Sequence, residues 1–190
     1  MELQKINVKF FVAEPDQVPL TAFIDIFHSW IQATDGIYYD VADYSHMHNG
    51  PGILMIAHEA NISIDETGGQ RGLLYNRKQP LDGSNQEKLR CTFRAALENC
   101  LRLEQEPSLQ GKLKFRGDKG LFLINDRLLA PNTEETFLLV RDDLEGFLGQ
   151  LYRGVDYSLA RNLEPTERFS VWMNTAVPCE VAELLKNLEA

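Results

Sequence analysis

The sequence has no apolar run that approaches the ~18 residues needed to cross a membrane as a helix. It also has no excess of basic residues, since its 19 Lys and Arg are outnumbered by 28 Asp and Glu, for a formal net charge of -9. Because an acidic surface repels phosphate groups, we expect neither general nucleic-acid binding nor docking on anionic membranes. These absences predict a soluble globular protein.

Cysteine is scarce, and its three residues form no metal-binding motif. Cys91 and Cys100 lie on one predicted helix, about 13 Å apart at the helical rise, which is too far for a disulfide. No CxxC pair or zinc-finger spacing occurs. An odd, scattered count without a secretory signal predicts a cytoplasmic protein.

The signatures of several enzyme classes are also missing. There is no G-x-S-x-G nucleophile elbow, no H-E-x-x-H zinc motif and no kinase-type set of motifs. The glycine-rich segment 67–72, TGGQRG, lacks the Gly-Lys-Ser/Thr ending of a phosphate-binding P-loop. A function therefore has to be argued from individual residues and their neighbours.

Apolar periodicity indicates most of the secondary structure. The predicted strands are 4–12, 37–42, one long strand over 53–65, 73–78, the two arms of a hairpin within 112–125, and 168–173. The predicted helices are 17–33, one opening at Ser84, one opening near Asn132 and a short one opening at Pro178. Ser84 and Glu87 have the spacing of a capping box, which fixes the start of the second helix.

This order of elements predicts an α+β fold, with a largely antiparallel sheet and helices packed mainly on one face. The alternative is an α/β fold with a mixed sheet, which the lack of strict βαβ alternation disfavours. The length favours a single domain over 1–190. Two β-α-β-β stretches, 4–58 and 73–125, suggest an internal duplication, although no repeat of individual residues supports it.

Three of the four histidines fall in the segment 43–59, DYSHMHNGPGILMIAHE. In an extended loop, His46 and His48 point the same way, and two neutral imidazoles can bind a divalent transition metal. Asp43 is the candidate for a third ligand. The alternative is a polar loop with two solvated histidines.

His58 has a separate interpretation from the other two histidines. If the flanking strands pair across the loop, His58 lies roughly 16 Å from its end and cannot share a metal there. Its apolar neighbours favour a residue of the core, satisfied by one or two hydrogen bonds. The functional alternative is a general base at a sheet edge, accompanied by Glu59.

Four further side chains are candidates for ligand binding. Arg71 lies in the TGGQRG segment, which can hold an anion or form an ordinary hairpin turn. Tyr75 and Arg77 share one strand face, where Arg77 can meet a carboxylate or phosphate, or shield an edge strand. Tyr44 belongs to a group of tyrosines that suits a protein-binding surface, together with Tyr38, Tyr39 and Tyr75.

Two classes of function remain open. The favoured class is a soluble cytosolic binding or assembly protein, which uses the 40–78 segment to recognise a second copy of itself or another protein. The alternative is a small metal-assisted enzyme of the hydrolase type, with a site centred on His46 and His48 and with His58 or Glu59 as base. The binding protein is favoured because no group of residues forms a recognisable catalytic set.

Overall fold

The computed structural model describes residues 1–14, 16–47 and 50–189, which form eight β-strands and four α-helices. The strands are β1 Ile6–Val12, β2 Tyr38–Tyr44, β3 Gly52–Ala57, β4 Ala60–Asp65, β5 Gly72–Arg77, β6 Phe115–Ile124, β7 Tyr157–Arg161 and β8 Ser170–Thr175. The helices are α1 Ala22–Ala33, α2 Asn85–Glu104, α3 Glu134–Tyr152 and α4 Val181–Glu189. Short 3-10 turns occur at Thr67–Gly69 and Pro107–Leu109.

All eight of these strands join one sheet, in the order β2-β3-β4-β5-β1-β6-β8-β7. Every pair of neighbouring strands is antiparallel. The predicted α+β fold with an antiparallel sheet is therefore confirmed, and the alternative of a mixed α/β sheet is wrong.

The helices lie on one face of this sheet. Phe10 of β1 meets Phe93 of α2 edge to face, with ring centroids 6.2 Å apart. Val8 and Phe10 belong to the single hydrophobic core that also takes in the apolar sides of the helices, whereas Phe11 does not. Because successive strand residues point to opposite sides, β1 separates a helix-covered face (Ile6, Val8, Phe10) from an uncovered face (Asn7, Lys9, Phe11).

A topological repeat is present, but its bounds are not the predicted ones. The first unit runs from β1 to α2, and the second runs from β6 to α4. In each unit the first strand pairs with the last, and the remaining strands extend outward toward an edge of the sheet. The expected units 4–58 and 73–125 are wrong because β5 and α2 close the first unit rather than opening the second.

The segment predicted as one strand over 53–65 is a hairpin. The chain reverses at His58 and Glu59, so that Met55 pairs with Ile62 and Ile56 pairs with Asn61. The apolar alternation continues through the turn in the sequence, and the turn contains no glycine or asparagine to mark it. As a result, Ile62 faces the helices while Ile56 faces away from them.

The hairpin predicted within 112–125 is instead one continuous strand, β6. Its glycines serve close packing: a Cβ on Gly117 would lie 2.5 Å from the carbonyl oxygen of Cys179, and one on Gly120 would lie 2.7 Å from Cε of Met173. Gly117 and Gly120 therefore allow close packing along a continuous strand, and they do not form a turn. The edge strand β7 was not predicted.

The helix predictions agree better with the structure. Ser84 caps α2, since its Oγ accepts from the backbone N of Glu87 and its own backbone N donates to the Glu87 carboxylate. Cys91 and Cys100 both lie on α2 and are not bonded to each other. Among the helices in the described residues, none combines the length and the apolar character needed to span a bilayer.

Candidate functional site

A groove of about 560 Å³ opens on the helix-covered face, beside the turn between β3 and β4. We call it the tyrosine groove. Its lining includes Tyr38, Tyr39, Ala57, Ala60, Tyr75 and Ala95. The groove exists because α1 packs on β2 and β3 while α2 packs on β5 and β1, which leaves the end of β4 between them less covered.

Small side chains keep the groove open. Ala57 and Ala60 form part of its floor, and Ala95 faces it from α2. Leucine or phenylalanine at these positions would fill much of the space, since interiors are packed at close to crystal density. The sequence therefore maintains a depression at a place where a larger side chain would have completed the core.

Four of the predicted site residues meet at this groove. His58 and Glu59 form the β3–β4 turn, and Tyr75 lies on the neighbouring β5. Arg77 Nη1 donates to Glu59 Oε2 at 2.7 Å, and Arg77 Nε donates to the carbonyl oxygen of Gln79 at 3.0 Å. Burial raises the pKa of the Tyr75 hydroxyl, and its hydrogen bond with Arg77 offsets part of this rise.

The interpretation of His58 as a core residue is wrong, because its side chain is exposed at the turn. The hairpin places it outside the sheet, where a continuous strand would have buried it. Glu59 is also exposed and is held by Arg77, so its carboxylate is already paired. This end of the groove can offer an imidazole, a phenol and an ion pair at the rim of an apolar depression.

The other predicted residues lie at the opposite end of the strands. Tyr38 pairs with Ala57 at the groove end of the β2–β3 ladder, and Tyr44 pairs with Gly52 at the far end. At ~3.3 Å per residue these two ends are about 16–20 Å apart. His46 therefore does not approach His58, as expected for hairpin partners.

The predicted metal site is incomplete in the part of the chain that the structure describes. His48, one of its three residues, lies outside the described residues. Asp43 accepts a hydrogen bond from the backbone N of Ser45 at 2.8 Å, and hydrogen bonds from Ser45 lower the pKa of this carboxyl group. Within residues 1–14, 16–47 and 50–189, no three His, Cys, Asp or Glu side chains are grouped so that they could hold a metal ion.

Arg71 has a structural role at that far end. Its Nη1 donates to Asp16 Oδ2 and to the carbonyl oxygen of Val18, both at 2.6 Å, and its Nη2 donates to Glu66 Oε1 at 2.6 Å. The guanidinium thus ties the loop after β1 to the turn after β4. An anion would have to compete there with two carboxylates, so the arrangement does not favour the anion site that the TGGQRG segment suggested.

The sequence did not predict that polar side chains are buried on the uncovered face of the sheet. Asn7, Lys9 and Phe11 are buried there, although none of the helices in the described residues packs on that side. The alternation of polar residues in β1 was visible, but it was typical of a solvated strand face. Only the pairing of distant strands reveals which polar side chains meet.

Comparison of the chain with models of protein families, with curated proteins and with solved structures finds no match to any of them.

Proposed function

We propose that this protein is a binding protein, which recognises an aromatic or branched apolar side chain of a protein partner in the tyrosine groove. The observation that supports this most is an open, alanine-floored depression with aromatic walls beside exposed apolar side chains. Ile37 and Tyr39 at its rim are 57% and 59% exposed. Protein interfaces are enriched in aromatic residues, and their strongest contacts are anchor side chains seated in pockets.

The neighbouring sheet edge supports a polypeptide as the occupant. The strand β2 lies at one edge of the sheet, so within the described part of the chain no strand pairs with one side of its backbone. Such an edge can accept an added strand, with its side chains entering adjacent pockets. The rim residue Tyr39 sits at a bulge of this edge strand, between the paired residues Tyr38 and Asp40.

This proposal keeps the segment 40–78 as part of the recognition surface, and it moves the centre of that surface to the groove. Tyr38, Tyr39 and Tyr75 line the groove, whereas Tyr44 lies at the other end of β2. We also infer a reducing cytoplasmic environment. All three cysteines of the sequence are free, and Cys91 is exposed, which supports that compartment.

Titration with indole or p-cresol, which mimic aromatic side chains, tests the groove by two-dimensional amide NMR. A fragment of this size is expected to bind in the millimolar range, near -4 kcal/mol. We expect saturable shifts at the amides of His58, Ala60 and Asn99, which line the groove. No saturable shift, or shifts confined to another surface, would contradict the proposal.

A groove-filling variant sharpens this test. Ala95→Phe places a ring in the depression and should abolish fragment binding while the thermal unfolding transition stays cooperative. The matched control is Leu138→Phe, which adds a ring at an exposed position of α3. Equal fragment binding in Ala95→Phe and in the control would place the contact elsewhere.

A further inference from the structure

The uncovered face of the sheet holds a row of asparagines that the groove does not involve. Asn61 of β4 pairs with Asn76 of β5, and Asn76 pairs with Asn7 of the central strand β1. Their side chains therefore follow one another across three adjacent strands. Leu123 of β6 and Ser170 of β8 continue the same row.

These amides are not satisfied within the protein. In the described part of the chain, neither side-chain atom of Asn7 has a hydrogen-bond partner, and the Oδ1 atoms of Asn61 and Asn76 also lack one. Asn7 is 0% exposed. Buried polar groups in native proteins nearly always have partners, so these unpartnered amides mark a face that is not built as an apolar core. Asn7 lies beneath its neighbours, whereas Asn61 and Asn76 are half-buried and present part of their side chains at the surface of this face.

Apolar side chains surround the asparagine row. Five half-buried apolar residues lie on the uncovered face, as their strand register shows: Leu54, Ile56, Leu74, Leu121 and Trp172. Trp172 stacks on Phe11 with centroids 5.4 Å apart, and Lys119 Nζ lies 4.8 Å from the Phe11 centroid. None of these side chains belongs to the core under the helices.

Charge distinguishes this face from the rest of the surface. The charged residues that strand pairing places on it are two acids and two bases, namely Asp40, Asp65, Lys9 and Lys119. Lys9 and Asp65 neutralise each other in an ion pair of 2.5 Å. A chain with a net charge of -9 repels its own copies over most of its surface, but not here.

We propose that a second copy of this chain packs on the uncovered face, sheet against sheet. Primary amides are self-complementary, since each offers donors and an acceptor, so the half-buried Asn61 and Asn76 can meet those of the second copy directly or through water, while Asn7 lies beneath the contact. A twofold interface needs such self-complementarity. The half-buried leucines and Trp172 provide the apolar contact, as in the facing sheets of a β-sandwich.

The size of the face is adequate for such a contact. Eight strands at ~4.8 Å spacing and about five residues at ~3.3 Å give a planar area of roughly 600 Å², comparable to the ~800 Å² that each partner buries in a standard interface. The tyrosine groove lies on the opposite side of the sheet. Self-association and partner binding are therefore separate properties that can fail independently.

Sedimentation velocity of the full chain over a range of about 1–100 µM tests the proposal, because a standard interface commonly gives dissociation constants in or below this range. We expect the sedimentation coefficient to rise from monomer to dimer. The double variant Leu74→Glu/Leu121→Glu should weaken the dimer at least about 100-fold, since it adds carboxylates at the centre of the apolar contact. A wild-type monomer throughout would overturn the proposal.

The matched control is Leu138→Glu/Leu139→Glu, which adds the same charges to exposed leucines of α3. The dissociation constant of the dimer should be unchanged in this control. If only the control lost the dimer, the interface would lie at α3 and the proposal would be overturned. Trp172 supplies a second readout that needs no folded Glu variant. In a Trp30→Phe background, where it is the remaining tryptophan, acrylamide quenching should fall as the protein concentration rises, and constant quenching would contradict burial of this face.

Discussion

Two consecutive phenylalanines show how differently the two faces of the sheet are built. Phe10 points toward the helices, is fully buried and meets Phe93 of α2. Phe11 points the other way, stacks on Trp172 and lies under the ammonium groups of Lys9 and Lys119. Both rings leave water, but one does so in an apolar core and the other in a cluster of cations and aromatics.

The buried polar residues are distributed unevenly between these faces. Among the residues that the structure describes, nine polar or charged residues are buried, and five of these lie on the uncovered face. They are Asn7, Lys9, Ser63, Asp65 and Ser170. Stability alone favours apolar groups in buried positions. The helix-covered face therefore holds the apolar core, whereas the uncovered face buries polar groups that folding alone does not require.

The largest expected effect is on the helix-covered face. Phe10→Ala should lower the free energy of unfolding by about 3–5 kcal/mol, because it leaves a cavity that the helices cannot close. Phe11→Ala should cost only about 2 kcal/mol, since Phe11 lies outside the core under the helices and the half-buried Trp172 stacked on it can move into the space. Urea unfolding measures both, and equal losses would contradict the distinction between the faces.

The ion pair on the uncovered face should have the next largest effect. Lys9→Met leaves the buried Asp65 carboxylate without its cation and should cost about 3 kcal/mol. Asp65 retains hydrogen bonds from the backbone N and the hydroxyl of Thr67, which limit the loss. The double variant Lys9→Met/Asp65→Leu should recover most of the stability in the same urea titration, and no recovery would mean that the pair does not act as a unit.

The asparagine row predicts a gain instead of a loss. Asn7→Val removes an unpartnered buried amide and should raise the free energy of unfolding of the monomer by about 1–2 kcal/mol, measured at low protein concentration. The matched control is Asn174→Val in β8, where the residue is half-buried, and its effect should stay within about 0.5 kcal/mol. A destabilised Asn7→Val would show that this amide has a partner in the isolated chain.

The smallest effect concerns alkaline pH. Burial raises the pKa of Tyr152 above its ordinary value of 10.0, so that the folded state holds this proton while the unfolded state releases it. Stability is therefore lost as the pH rises through 10, and Tyr152→Phe should reduce the loss at pH 10.5 by about 1 kcal/mol. Chemical unfolding at pH 8 and 10.5 gives the difference, and an unchanged pH dependence would contradict this assignment.

The candidate site was only partly predictable. The sequence identified His58, Glu59, Tyr75 and Arg77 as candidates, and the structure brings these four together at the groove. Only the enzyme alternative joined His58 to a site centred on His46 and His48, and the hairpin separates them, as expected if the flanking strands pair. Nearness along the chain was a poor guide because strands carry neighbouring residues apart by ~3.3 Å per position, whereas turns bring distant ones together.

The four helices, the cap at Ser84 and the antiparallel α+β class were predictable without the structure, because they depend on local periodicity, capping and short connections. Tertiary structure decided the turn at His58 and Glu59, the role of Gly117 in close packing, and the meeting of Asn7 with Asn76. The alternation of residues along a strand predicts which side chains lie on the same face of the sheet. Which side faces the helices, and which residue lies opposite, depends on backbone hydrogen bonds between strands that are far apart in the chain.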